Sequence, residues 1–235
     1  MVFRFKQFTV EDDRSTMRIG TDAILLGAWA DPGPAKSILE IGTGCGVISL
    51  MLAQKSDARI DAIDIDEESV KQAESNFLQS PWNKNLHPRA VSLQDIISTS
   101  VQKYDMVITN PPFFIDSLLS PDAKKNRARH TTELSQRDLI TGVVHLLKDD
   151  GSFLVILPTE EDRKFTALAE TAGLSIQKQM KVRPKFGKAV NRIMSGFGFQ
   201  PCSVPYPEEL VIRNGDNTFT MEYIAFTHAY YFLLR

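Results

Sequence analysis

The sequence predicts an α/β protein, a mostly parallel sheet with helices on both faces. Three observations point there. Short apolar runs alternate with stretches of helical spacing between residues 37 and 172. Runs such as Tyr104–Thr109 and Gly151–Leu157 are apolar nearly throughout, as strands covered on both faces are. The first run ends in a glycine turn, G-T-G-C-G at 42–46, that leads into a helical pattern.

Each element follows from its residues. Ser37–Ile41 reads as a strand, and G-V-I-S-L-M-L-A-Q-K at 46–55 as a helix. Arg59–Asp64 is the next strand. Residues 66–78 form a helix whose first-turn acids suit the positive end of the macrodipole. Arg89–Leu93 is expected as a short strand with Asp95 at its end. Tyr104–Thr109 is a strand that stops at Asn110, because Pro111 and Pro112 donate no backbone hydrogen bond and fix φ. Ser135–Leu147 is a helix with a capping arrangement from Ser135 to Asp138. Gly151–Leu157 is a strand and Glu160–Ala172 a helix closed by Gly173. Leu174–Val182 and Val190–Phe199 are strands joined by R-P-K-F-G-K-A into a hairpin, which adds an antiparallel strand at the end. Near the N-terminus, Ile24, Leu25 and Ala28 suit a helix laid on the sheet, with Thr21 and Asp22 near its start.

The totals narrow the function classes. With 235 residues and 43% apolar content, one domain spanning 1–235 is expected, its segment 1–35 packing near the ligand site and 36–235 forming the sheet. Cys45 and Cys202 are too few for a disulfide framework or a cysteine zinc site, so no metal is expected. The first residues are interrupted by charges, unlike a signal peptide, and no apolar stretch approaches a membrane span. A soluble cytoplasmic protein is expected, a monomer by default. The net charge of −2 announces no nucleic-acid partner, but its distribution is uneven. Residues 171–207 contain no acid and carry Lys178, Lys181, Arg183, Lys185, Lys188 and Arg192, and a second basic cluster, K-K-N-R-A-R-H, spans 124–130. Such stretches serve as RNA contacts or as plain solvated surface.

Strand ends supply the candidate chemistry. Ligands of open α/β sheets bind beyond the carboxyl ends of the strands. Gly42, Gly44 and Gly46 allow a sharp turn and close approach, but their G-x-G-x-G spacing differs from the dinucleotide G-x-G-x-x-G, and Glu40 precedes them. A carboxylate there suits a cationic or amine-bearing ligand better than a pyrophosphate. Asp64 ends the next strand, where a carboxylate can accept from ribose hydroxyls, and Asp95 is a third acid able to accept from an adenine amino group. Sulfonium, ammonium, ribose and adenine without phosphate describe S-adenosylmethionine. Then comes I-T-N-P-P-F at 108–113. An exocyclic amine is a poor nucleophile because its lone pair is delocalised. Two acceptors, the Asn110 side-chain oxygen and the Pro111 carbonyl, would direct that lone pair, with Pro112 stiffening the turn and Phe113 stacking on the base. Read alone, N-P-P-F is better taken as a strand terminator followed by core phenylalanines; the glycine turn and the two rim acids before it favour the catalytic reading.

E-I-G-T-G-C-G, A-I-D-I-D, L-Q-D-I and I-T-N-P-P-F together resemble the successive motifs of the class I S-adenosylmethionine-dependent methyltransferases over roughly residues 36–160. That resemblance implies a Rossmann-like sheet of seven strands, mostly parallel with a terminal antiparallel strand. It implies a cofactor site of Thr21, Glu40, Gly42, Gly44, Asp64, Ile65, Asp95 and Asn110, and a catalytic Asn110–Pro111–Pro112–Phe113 motif. The amine could be adenine N6, guanine N2 or a glutamine amide. M-R-I-G-T-D at 17–22, R-A-R-H at 127–130 and E-Y-I-A-F-T at 222–227 are similar to the bacterial tRNA adenine-37 N6-methyltransferases acting on a valine tRNA. Phe113 departs from the tyrosine frequent in that family, and both rings stack. The resemblance implies a tRNA partner, with Arg127, Arg129, His130, Lys185 and Lys188 as RNA contacts. Protein glutamine methylation, ribosomal guanine or DNA adenine methylation, nicotinamide-dependent oxidoreduction and non-catalytic RNA binding are the alternatives.

Overall fold

A strand-helix alternation with buried strands organises the chain, seen in a computed structural model that describes residues 1–99, 101–111, 134–202 and 207–232. A small antiparallel ribbon of β1 (Val2–Arg4) and β2 (Thr9–Glu11) comes first, followed by α1 (Thr21–Trp29). The main sheet begins with β3 (Ser37–Ile41), α2 (Val47–Ala53), β4 (Arg59–Asp64) and α3 (Glu67–Leu78). It continues through β5 (Leu86–Ala90), α4 (Leu93–Thr99) and β6 (Tyr104–Thr109). After α5 (Gln136–Leu146) come β7 (Leu147–Pro158), α6 (Thr159–Thr171), β8 (Ser175–Arg183), β9 (Arg192–Gly198), β10 (Glu208–Val211) and α7 (Met221–Thr227).

Among the described residues the sheet has eight strands in the order β10-β8-β9-β7-β6-β3-β4-β5. β9 runs antiparallel to both its neighbours, β7 and β8, and the other pairings are parallel. The carboxyl ends of the remaining strands therefore share one rim. Pleat alternation splits the core into two layers. Ile38 of β3 and Leu154 and Ile156 of β7 face α1, α2 and α3. Leu39 and Ile41, with Phe153 and Val155, face α4, α5 and α6. Helices approach closely where glycines permit: a Cβ on Gly142 of α5 would lie 2.6 Å from Leu93 Cδ2 of α4.

The mostly parallel α/β sheet with helices on both faces stands as expected, with an eighth strand at its edge. β10 pairs parallel with β8, and its short E-E-L-V sequence carries no strand signal of its own. β5 occupies Leu86–Ala90 rather than Arg89–Leu93. Pro88 argues against a strand by propensity, but β5 lies at the sheet edge, where proline is tolerated. Leu93 belongs instead to α4, buried against α5. The capping arrangement at α5 is present, with Ser135 Oγ accepting from Asp138 N at 3.1 Å.

Candidate active site

The glycine turn is held from both sides. Ile63 O, in β4, accepts the N–H groups of Gly42 (2.8 Å) and Thr43 (2.9 Å). Glu40, 1% exposed, reaches beneath the turn, and its Oε2 accepts from Thr43 Oγ1 (2.8 Å), Ser49 N (3.1 Å) and Ser49 Oγ. Burial pushes its carboxyl up to about 7, against the lowering effect of those hydrogen bonds. Glu40 thus ties the end of β3 to the first turn of α2. Asp64 does similar work: Oδ2 accepts from Gly44 N (2.9 Å) and Oδ1 from Asp66 N (3.0 Å). A carboxylate has about four lone-pair sites, so half-buried Asp64 retains capacity for two hydroxyls.

Gly42, Gly44 and Gly46 all have positive φ, at 73°, 53° and 83°. Their surroundings differ. A Cβ on Gly42 would meet nothing within 4 Å, and one on Gly44 would meet only Ser15 Oγ at 3.3 Å. A Cβ on Gly46 would lie 2.4 Å from the Phe77 ring. Gly42 therefore leaves the backbone open to a ligand, Gly44 lets the Ser15 segment come close, and Gly46 lets α3 pack against the turn. Beside Asp64, Ile65 is an exposed apolar side chain, suited to lie against an adenine. Asp95 stands in the first turn of α4, where Oδ2 accepts from Ser92 Oγ at 2.7 Å and its N–H donates back to Ser92 Oγ at 3.0 Å. Carboxylates and open backbone fit a ligand with hydroxyls, amines and positive charge.

The segment between β2 and α1 crosses α3 to reach the turn. Arg14 N donates to Gln72 Oε1 (3.2 Å) and Thr16 N to Ser69 Oγ (3.2 Å), which sets Ser15 beside Gly44. Thr21, at the start of α1, lines a cleft with Pro184, Ile212 and Arg213 on the β8–β10 side of the rim. The ion pair of Asp22 with Arg192 Nε, 2.8 Å, holds that helix end over β9.

β6 delivers Asn110 to the centre of the rim. Thr109 pairs with Ile41 in register, and its Oγ1 donates to Ile41 O at 2.8 Å. Asn110 is thereby placed next to the strand end from which the glycine turn leaves. It is half-buried, and Pro111 is buried. Pro112, Phe113, Arg127, Arg129 and His130 lie outside the described residues. Lys185 and Lys188 sit on the β8–β9 connection, where Lys185 Nζ donates to Asn217 Oδ1 at 2.8 Å. Sequence reasoning missed Ser49, Phe77 and Ser15. Phe77 and Ser15 meet the turn through packing of distant segments, Ser49 meets Glu40 from the helix that continues it, and no local pattern marks them. Among the described residues, no group of three or more His, Cys, Asp or Glu is placed to hold a metal ion, and no helix is long and apolar enough to cross a membrane.

A family model, the methyltransferase small domain, matches residues 15–175. A Phocaeicola vulgatus protein named tRNA1(Val) (adenine(37)-N6)-methyltransferase is 42% identical over 97% of this chain and 97% of its own length. One of the same name from Tolumonas auensis is 39% identical over 97% of this chain and 96% of its own. Among solved structures, a predicted O-methyltransferase from Agrobacterium tumefaciens superposes with a TM-score of 0.68 at 16% identity, covering 89% of this chain and 96% of that one. TrmN from Thermus thermophilus has a TM-score of 0.52 at 19% identity, covering 75% of this chain and 47% of that one. These two likenesses bear on the fold.

Proposed function

The chain belongs to the methyltransferase small domain family, among the tRNA1(Val) adenine-37 N6-methyltransferases, and from that premise we propose that it transfers the methyl group of S-adenosylmethionine to N6 of adenine 37 in tRNA1(Val). S-adenosylhomocysteine and a proton, lost to solvent from the methylated nitrogen, are the other products. The observation that carries the chemistry is the Thr109–Ile41 bond, which fixes Asn110 beside the glycine turn. The choice of tRNA rests on the near-full-length similarity to relatives of that name.

In this reading the Gly42–Gly44 backbone and the Asp64 carboxylate hold the cofactor, with Ile65 and Asp95 at its adenine. Glu40 acts from behind, fixing the turn. When bound, S-adenosylmethionine supplies an electrophilic methyl group. The chain's own task is to present the amine. The Asn110 side-chain oxygen and the Pro111 carbonyl accept the two amine hydrogens, which localises the nitrogen lone pair and aims it. A rigid strand end provides these acceptors without reorganisation, the condition under which such electrostatic help is largest. Pro112 and Phe113 complete the motif, the ring stacking on the adenine. A flipped-out base from a single-stranded loop is the form in which adenine reaches such a site. Arg127, Arg129, His130, Lys185 and Lys188 are assigned to the RNA backbone, and residues 1–235 to one catalytic unit working as a monomer in the cytoplasm. The bonds from Gln72 and Ser69 to the N-terminal segment support its membership of that unit.

The test offers methyl-labelled S-adenosylmethionine with unmodified tRNA, ribosomal RNA, duplex DNA and release-factor protein in separate reactions. Label recovered as N6-methyladenosine from tRNA is expected. Label in glutamine would keep the cofactor and overturn the substrate. No transfer to any of the four would overturn the activity.

A further inference from the structure

The β8–β10 end of the rim carries a second feature that methyl transfer does not use. β8 ends at Arg183 and β10 at Val211, in register with each other, so Pro184, Ile212 and Arg213 emerge at the same rim as Asn110. Three strand spacings separate β6 from β8, roughly 14 Å. Here a cleft of about 430 Å³ opens between Thr21, Pro184, Ile212, Arg213, Phe219 and Tyr231. That volume is within the range of small-molecule pockets.

One wall is a pile of planar groups. Tyr223, 4% exposed, anchors it in the core. Phe219 stacks on Tyr223 with ring centroids 5.1 Å apart and planes 21° off parallel. The Arg213 guanidinium lies 4.0 Å from the Phe219 centroid. The pile is built rather than fortuitous. Arg213 and Phe219 face each other across an isolated antiparallel bridge, and Asn214 N donates to Thr218 O (2.9 Å) to close the turn between them. Arg213 Nη1 donates to Asn217 O at 2.6 Å, which orients the guanidinium. Asn217 has φ 71°, a left-handed conformation that asparagine tolerates, and Asp216 turns inward to accept from Thr218 N and Oγ1. The basic β8–β9 connection is clamped to the same turn: Phe186 N donates to Arg213 O (2.8 Å) and Lys185 Nζ to Asn217 Oδ1 (2.8 Å).

We propose that this cleft is a nucleobase subsite, in which an unpaired base of the substrate RNA near the target adenine continues the Tyr223–Phe219–Arg213 pile by stacking on the guanidinium. The inference rests on the RNA reading above and deepens it. Arginine planes and aromatic rings are the surfaces on which proteins stack unpaired bases. The guanidinium edge and Lys185 would meet the adjoining phosphates. Its place beyond β9, on the opposite side of β6 from Asp64, assigns it to the substrate rather than the cofactor, and in this proposal Thr21, expected at the cofactor, joins the substrate wall.

Arg213→Lys separates stacking from charge, because it keeps the cation and loses the plane. Unmodified tRNA transcripts carrying a fluorescent adenine analogue at single positions of the target loop are titrated with wild type, Arg213→Lys and Phe219→Leu, melting temperatures serving as the folding control. With wild type, one position other than the target is quenched on binding. In Arg213→Lys the quench is lost and KM for tRNA rises on the order of tenfold, with kcat and S-adenosylmethionine affinity kept. Phe219→Leu, which removes the support beneath Arg213, gives the same direction. A wild-type quench and KM in Arg213→Lys would overturn the proposal, since a phosphate contact alone survives that change. Weakened cofactor binding would overturn it by placing the cofactor there. If wild type methylates tRNA while both variants match it, the subsite falls and the tRNA reading stands. If wild type methylates no RNA, both fall.

Discussion

Replacing Gly46 and Gly42 by alanine, one at a time, separates packing from ligand approach within a single turn. At Gly46 the backbone has φ 83°, and the added methyl would lie 2.4 Å from Phe77 Cε1, 2.7 Å from Cζ and 3.2 Å from Ala73 Cβ. Phe77 is 2% exposed, so its ring has nowhere to swing. Two costs combine: about 1–2 kcal/mol for a left-handed residue with a Cβ, and about 1–3 kcal/mol for overpacking. At Gly42 φ is 73° and the methyl meets no atom within 4 Å, so only the backbone cost of about 1–2 kcal/mol applies. In a chain of this size each kcal/mol moves the melting temperature by about 2–4 °C. Gly46→Ala should therefore melt roughly 4–20 °C below wild type, and Gly42→Ala roughly 2–8 °C below. Thermal and urea denaturation read these shifts, and calorimetric titration with S-adenosylmethionine reads the other half. Gly42→Ala should lose cofactor affinity well beyond its effect on stability, because its methyl projects into the open side of the turn. Adding Phe77→Leu to Gly46→Ala should recover part of the overpacking cost and do nothing for Gly42→Ala, a coupling that a double-mutant cycle isolates. A Gly46→Ala protein within about 0.5 kcal/mol of wild type, or a cycle with no coupling, would refute the packing role.

Asn110→Ala should nearly abolish turnover while cofactor affinity stays close to wild type, since Asn110 presents the amine; turnover near wild type would remove it from the mechanism. Asp64→Ala should weaken S-adenosylmethionine binding and also cost about 1–3 kcal/mol of stability, because Gly44 N and Asp66 N lose their acceptor. Unchanged affinity by calorimetry would exclude Asp64 from the ribose site. Glu40 carries a pH signature. Its folded pKa of about 7 stands above the ordinary 4.5, so the folded chain binds the proton more tightly than the unfolded one. That contribution is full below about 4.5 and is lost as pH rises through about 7, a total of about 3 kcal/mol. Urea midpoints from acid to neutral pH should fall relative to Glu40→Gln, which has no such proton; parallel curves for the two proteins would contradict the shift. Gly142→Ala should destabilise by about 1–3 kcal/mol through the clash with Leu93, with no change in cofactor affinity.

Read without its fold, the chain already determined the strands Ser37–Ile41, Arg59–Asp64 and Tyr104–Thr109 to the residue, the α/β class, and the placing of Glu40, the glycines, Asp64 and Asn110 at strand ends. Each of these depends on a short run of residues: apolar continuity starts a strand, and Gly or Pro-Pro stops it. Tertiary structure decided what burial and neighbours decide. Pro88 lies in a strand because β5 has an open edge, and E-E-L-V pairs because β8 offers it one. Three glycines with the same backbone signature divide into one that faces open space, one that faces Ser15 and one pressed against Phe77, thirty-one positions along the chain. Glu40 reads in the sequence as a ligand group, and the structure adds that it is the acceptor pinning the turn, because Ser49 meets it only when α2 docks. The Arg213–Phe219–Tyr223 pile likewise exists only once a turn, a bridge and α7 meet. Backbone preference is local, so a sequence displays it. Which side of a residue is open depends on segments far along the chain, and burial of their apolar faces chooses it only when the whole sheet is assembled.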